Sequence, residues 1–141
     1  MSRYSMGFRT TATANAVLEI IGGVGSRSKL VEIGLTINAQ TLTPVGIGYP
    51  AAIGITPTTP VTLLSESNNS TISVTSALAW ATPPTSPTYF YRRATLGLGS
   101  DEIVWRFEDE GGGLLLLPAT SIVLWLFATG SVLDGWYTVE Q

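Results

Sequence analysis

Five carboxylates gather around one short segment: Asp101 and Glu102 precede 103–107, and Glu108, Asp109 and Glu110 follow it. Hard cations such as calcium take several oxygen ligands, and the glycines at 111–113 behind the acid triplet could wrap such an ion. The spacing is not that of an EF-hand loop, and runs of like charge at turns ordinarily stand in solvent, so no metal ligand is assigned. The same acids could supply the carboxylate pair of a glycosidase, but nothing beside them suggests a sugar cleft. The chain has no His and no Cys, which removes imidazole bases, thiol nucleophiles, disulfides and the usual zinc centres. Gly22-Gly23-Val24-Gly25, Gly46-Ile47-Gly48 and Gly97-Leu98-Gly99 lack the spacing and the following helix of a phosphate-binding loop and read as strand turns or bulges. Arg92 and Arg93 could pair with the acids at 108–110 or with a partner's carboxylates. No catalytic residue, metal or cofactor is expected, and the chain reads as no enzyme.

The surface chemistry points the same way. Seven Arg and Lys stand against ten Asp and Glu, so 12% of the 141 residues are charged and the net charge is -3. That is about half the usual charged fraction, and Lys29 is the single lysine. Without a basic run there is no electrostatic footprint for nucleic acid. Charge-free stretches at 33–65, 67–91 and 111–133 raise the question of a membrane. The first two are broken by prolines, and the dense apolar part of the third, Leu114 to Ala128, is short of the ~20 residues a bilayer core requires. No membrane span is expected, and Met1 to Arg9 lacks the apolar run of a secretory leader.

Period-two alternation supplies the elements that would position these groups. In Lys29 to Ile37, the residues Val31, Ile33, Leu35 and Ile37 share one face and Glu32, Gly34 and Thr36 the other. Ile103, Trp105 and Phe107 alternate with Val104, Arg106 and Glu108, and Ile72, Val74, Leu78 and Trp80 share one face of 71–80. Further strands are expected at 4–11, 45–49, 88–96, 121–128 and 136–140 from their β-branched and aromatic content. Residues 17–21 would pass for a short helix or a strand; the strand is favoured, with 22–28 as a hairpin turn leading into Leu30 and Val31. Eight or nine strands without a long helix predict an all-β, single-domain antiparallel β-sandwich. The proline-rich connections at 50–64 and 81–87 favour a jelly roll, with an immunoglobulin-like sandwich as the alternative. Residues 1–13 are expected as an amino-terminal arm or first strand, and 14–141 as the sandwich domain.

Apolar runs carry the functional expectation. Leu114-Leu115-Leu116-Leu117 and Leu124-Trp125-Leu126-Phe127 offer apolar side chains to both faces of their strands, more than one sandwich interior needs. In a small antiparallel domain that surplus predicts a second covered surface. The candidate interface residues are Tyr4, Phe8, Leu115, Leu117, Trp125, Phe127, Trp136 and Tyr137. Tyr89, Phe90 and Tyr91, with Trp125, Trp136 and Tyr137, could instead form a carbohydrate platform.

The segments Lys29-Leu30-Val31-Glu32-Ile33-Gly34-Leu35, Arg92-Arg93-Ala94-Thr95-Leu96, Leu117 to Trp125 and the ending Trp136-Tyr137-Thr138-Val139-Glu140 resemble those of small virion proteins of tailed bacteriophages. These are jelly-roll accessory proteins, notably head decoration or cement proteins. The resemblance implies a non-enzymatic structural protein on the capsid surface of the virion, a homotrimer that clamps neighbouring major capsid subunits and stabilises the shell. It also implies that the amino-terminal segment could reach a capsid neighbour. The alternative is a receptor- or glycan-binding module of the tail, neck or baseplate.

Overall fold

The computed structural model describes residues 2–25, 27–57, 61–65, 71–97, 101–107 and 111–141, with side chains at all of them except 56, 61–65 and 71. The described residues form thirteen strands and no helix, and every strand pair is antiparallel. In chain order they are β1 Arg3–Arg9, β2 Asn15–Ile21, β3 Ser28–Ile37, β4 Thr43–Gly48, β5 Ile55–Pro57, β6 Val61–Ser65, β7 Thr71–Ala77, β8 Trp80–Thr82, β9 Phe90–Leu96, β10 Glu102–Arg106, β11 Leu114–Leu116, β12 Ser121–Leu126 and β13 Leu133–Glu140. The all-β sandwich expected from the alternation is present. Its strands outnumber the eight or nine expected, because β5, β6, β8 and β11 are short pieces in segments read as connections or as an undivided apolar run.

Pairing is nested: β1 with β13, β2 with β12, β3 with β10 and β11, β4 with β9, β5 with β8 and β6 with β7. One long hairpin is thus wound on itself, giving the four-strand orders β10-β3-β13-β1 and β2-β12-β4-β9 in a jelly-roll-like sandwich. β6 and β7 pair with each other and with β1 on one side and β2 on the other, so both halves belong to one eleven-stranded sheet. Winding also explains one departure. The hairpin expected of β2 and β3 around 22–28 is not formed, because those strands do not pair and belong to different halves of the order. Gly22 makes the close approach at that corner, where a Cβ would stand 2.0 Å from the Leu117 carbonyl oxygen.

β1 is a sheet strand rather than a free arm, in register with β13 from Arg3↔Glu140 to Arg9↔Asp134. Between the halves lies one apolar core, including Leu18, Ile20, Ile33, Leu35, Ile47, Phe107, Leu116, Ile122, Leu124 and Tyr137. A bulge adjusts the alternation in β3: Thr138 pairs with Glu32 and Val139 with Leu30, leaving Val31 as the extra residue. Leu30 therefore takes the inward place the sequence pattern assigned to Val31, which is buried outside the main cluster. On the other edge of β3 the same point separates β10 from β11, and the Phe107 amide donates to the Val31 carbonyl at 2.8 Å.

Candidate functional site

Strand register lays out the outward face of β10-β3-β13-β1 as four rows. Gly7, Trp136, Gly34 and Val104 form an apolar row across all four strands. On one side of it run Ser5, Thr138, Glu32 and Arg106, and beyond them Arg3, Glu140, Lys29 and Leu115. On the other side run Arg9, Asp134, Thr36 and Glu102. Each polar row holds a cross-strand ion pair: Arg106–Glu32 at 3.2 Å, Arg3–Glu140 at 3.6 Å, and Arg9–Asp134, whose second contact from Nη2 to Oδ2 is 2.9 Å. Hydrogen bonding to Arg9 holds the Asp134 carboxyl below the usual range and raises the Arg9 guanidinium in turn. Trp136 lies flat across Gly34, where a Cβ would come within 2.5 Å of its Nε1, and it is 38% exposed. The face is an aromatic anchor in an apolar row between ion-paired rims, the arrangement that interface hot spots use.

The opposite outer face, on β2-β12-β4-β9, is covered by the chain itself at one end. Residues 50–57 and 80–87, which include β5 and β8, form a flap held by Glu19. This carboxylate is fully buried and accepts from Trp80 Nε1 at 2.9 Å, the Gly54 amide at 3.0 Å and Ser121 Oγ at 2.7 Å. No cation pairs with it among the described residues; the three donors compensate its burial. Beyond the flap, Phe90 and Phe127 meet edge-on at 4.7 Å over Gly46, and the Arg93 guanidinium lies 3.9 Å from the Phe127 centroid. Beside the flap is a hollow of ≈ 310 Å³ lined by Trp80, Pro83, Leu78, Thr11, Asn15 and four alanines.

The sequence-derived interface residues divide between inside and outside. Phe8 and Tyr137 lie in the subunit's own core with ring centroids 6.2 Å apart, so neither faces a neighbour. Tyr4 packs against that core. Leu115, Trp125 and Phe127 are half-buried, while Leu117 and Trp136 are exposed. The surplus of apolar surface is thus smaller than the runs imply, because in Leu114–Leu117 and Leu124–Phe127 alternate residues enter the core and the chain covers much of the rest. Only Trp136 of the eight stands in the central row.

The acid cluster does turn work where it is described: Asp101 accepts from the Gly97 amide at 2.7 Å and the Glu102 amide at 3.1 Å. Residues 108–110 lie outside the described residues, and with them the expected pairing to Arg92 and Arg93. Both guanidiniums lie over aromatic rings, Arg92 over Phe107 and Arg93 over Phe127 and Phe90. Among the described residues no three His, Cys, Asp or Glu side chains come together as a metal-ligand group. No described helix is long and apolar enough to cross a membrane. Sequence reasoning missed Glu19; the signal was there, a single acid inside the apolar run Val17-Leu18-Glu19-Ile20-Ile21. Comparison with protein-family models, with curated proteins and with solved structures yields no match.

Proposed function

We propose that this chain is a non-catalytic virion protein of a tailed bacteriophage that decorates the capsid and stabilises it by clamping neighbouring major capsid subunits. The observation that carries the reading is the winding: β10-β3-β13-β1 opposite β2-β12-β4-β9, from which we infer a jelly roll. That fold is what the sequence resemblance implies, and it offers broad outer faces suited to contact. Five of the six described Asp and Glu side chains support the same reading, since Glu19, Glu32, Asp101, Asp134 and Glu140 already hold a flap, a turn or a neighbouring strand. Such a protein works by contact area, at ~25 cal/mol per Å² of apolar surface less the cost of ordering. Many copies on one shell turn weak single contacts into strong retention.

Mixing the purified protein with empty phage heads tests the proposal. Saturating, symmetric occupancy seen by electron microscopy, with heads that withstand higher temperature, is the expected result. Binding to tails or host cells and not to heads would refute it. The hollow beside Trp80 favours one rival, a glycan-binding module of the tail, for which sugars would quench the Trp80 emission.

A further inference from the structure

We propose that the outward face of β10-β3-β13-β1 is a self-recognition surface on which two copies of this chain pack face to face about a two-fold axis parallel to the strands. The axis runs between β13 and β3. A rotation about it keeps each row level and exchanges β13 with β3 and β1 with β10 and β11.

Charge selects this axis. Row by row it sets Glu140 against Lys29 of the second copy, Asp134 against Thr36, Thr138 against Glu32, Ser5 against Arg106 and Arg9 against Glu102. Every such contact occurs twice, and none brings like charges together. Glu102 gains most, because it is exposed and has no ion pair among the described residues. The other in-plane axis, perpendicular to the strands, reverses the order of the rows. Set midway along the four rows, it puts Arg3 against Arg9 and Glu140 against Asp134, repulsive contacts of both signs; set through the Trp136 row, it keeps one attractive contact, Glu102 against Arg106, and leaves the Arg3–Lys29 row unopposed. An isologous interface needs a self-complementary patch, and the first axis matches the most charge over the whole face.

The apolar row fits the same operator. Each Trp136 indole already lies across Gly34, between the two strands that flank the axis. Face-to-face packing brings the exposed sides of the two indoles together at the centre, in the offset stacking aromatic rings prefer. Val104, 44% exposed, comes to stand over Gly7 of the second copy, where no side chain obstructs it. Aligned sheets cross at about 30°, so with the crossing at the Trp136 row the adjacent rows, Arg9 and Glu102 among them, drift by ~4 Å, less than a strand spacing and within reach of Arg and Glu side chains, while the Glu140–Lys29 contact one row further out is weakened.

Four strands ~4.8 Å apart and four rows ~7 Å apart make a patch of ~500 Å² per copy, or ~1,000 Å² in total, the lower bound for a specific interface. A patch at that bound is expected of a weak, reversible dimer. The inference does not rest on the virion reading, since it requires only the chain itself, and a head-binding result of either sign leaves it standing.

Sedimentation equilibrium of the full chain, from micromolar to near-millimolar concentration, is the test. A reversible monomer–dimer equilibrium is expected. Glu102→Lys turns two attractive contacts into two repulsive ones and should weaken dimerisation about tenfold, and Trp136→Ala should abolish it. The chain has no cysteine, so Thr36→Cys can be linked to its copy beside the axis by a short bis-maleimide, whereas Val104→Cys, at the sheet edge, should not be. Thermal unfolding checks that each variant is folded. Should Trp136→Ala fail to fold, Glu102→Lys, at an exposed side chain, carries the test. A monomer at all concentrations, a trimer, or a dimer indifferent to Glu102→Lys overturns the proposal.

Discussion

Removing the Glu19 carboxylate should detach the flap. The side chain is fully buried and satisfies three donors, two of them, the Gly54 amide and the Ser121 hydroxyl, at buried residues; Trp80 is half-exposed. Glu19→Ala leaves the two buried donors without an acceptor, at about 1–3 kcal/mol each, and opens a gap beneath Gly54. Trp80 can turn to water at little cost. The expected loss is about 3–5 kcal/mol, a large share of the ~5–15 kcal/mol that holds a domain of this size. Glu19→Gln discriminates further. Its oxygen can take the place of Oε2 and keep Gly54 and Ser121, while its amide group then confronts the Trp80 N–H, so about 1–2 kcal/mol should be lost. Urea unfolding gives both numbers. Amide exchange at Gly54 and the Trp80 indole resonance report the flap directly, and both should change in Glu19→Ala before global unfolding does. An Ala variant within 1 kcal/mol of the parent, with Gly54 protection intact, would refute the argument that the carboxylate is the clasp.

Other expectations follow from burial and close approach. Burial pushes the Tyr137 phenol up, outweighing a hydrogen bond with Ser76 that acts the other way. Its contribution is complete below the unfolded value of about 10 and is lost as pH rises above that, at about 1.36 kcal/mol per pH unit; the decline in urea midpoint above pH ~10 should be shallower in Tyr137→Phe. Gly22→Ala would drive a Cβ to 2.0 Å from the Leu117 backbone oxygen and should cost about 1–3 kcal/mol or more in thermal unfolding. Gly25→Ala, with φ of +75° and nothing within 4 Å, should cost only about 1 kcal/mol, that of a left-handed alanine. Arg93→Ala should lose about 0.5–1 kcal/mol and expose the Phe90–Phe127 pair to apolar dyes.

The strands with strict alternation were legible from the residues. β3 and β10 alternate between apolar and polar side chains because one face meets the core and the other solvent, and that contrast survives any choice of partner strand. β2 was legible only narrowly, since a strand buried on both faces has no alternation to show. β5, β8 and β11 span three residues each, too few for a period to repeat. Of the candidate interface residues, Trp136 was placed outside and Phe8 and Tyr137 inside by register alone. A one-residue step reverses the face a side chain takes, and composition does not encode that step.

Composition alone determined which chemistry is absent, because a chain without His or Cys has no imidazole or thiol in any fold. Local pattern determined the all-β class, since side-chain periodicity is a property of the backbone itself. Pairing order, the winding of the hairpin, the Glu19 clasp and the four rows around Trp136 join residues as far apart as Arg9 and Asp134, or Glu19 and Ser121. Contacts across such separations depend on which strands lie side by side, a choice made by the collective burial of the core rather than by any short stretch of chain.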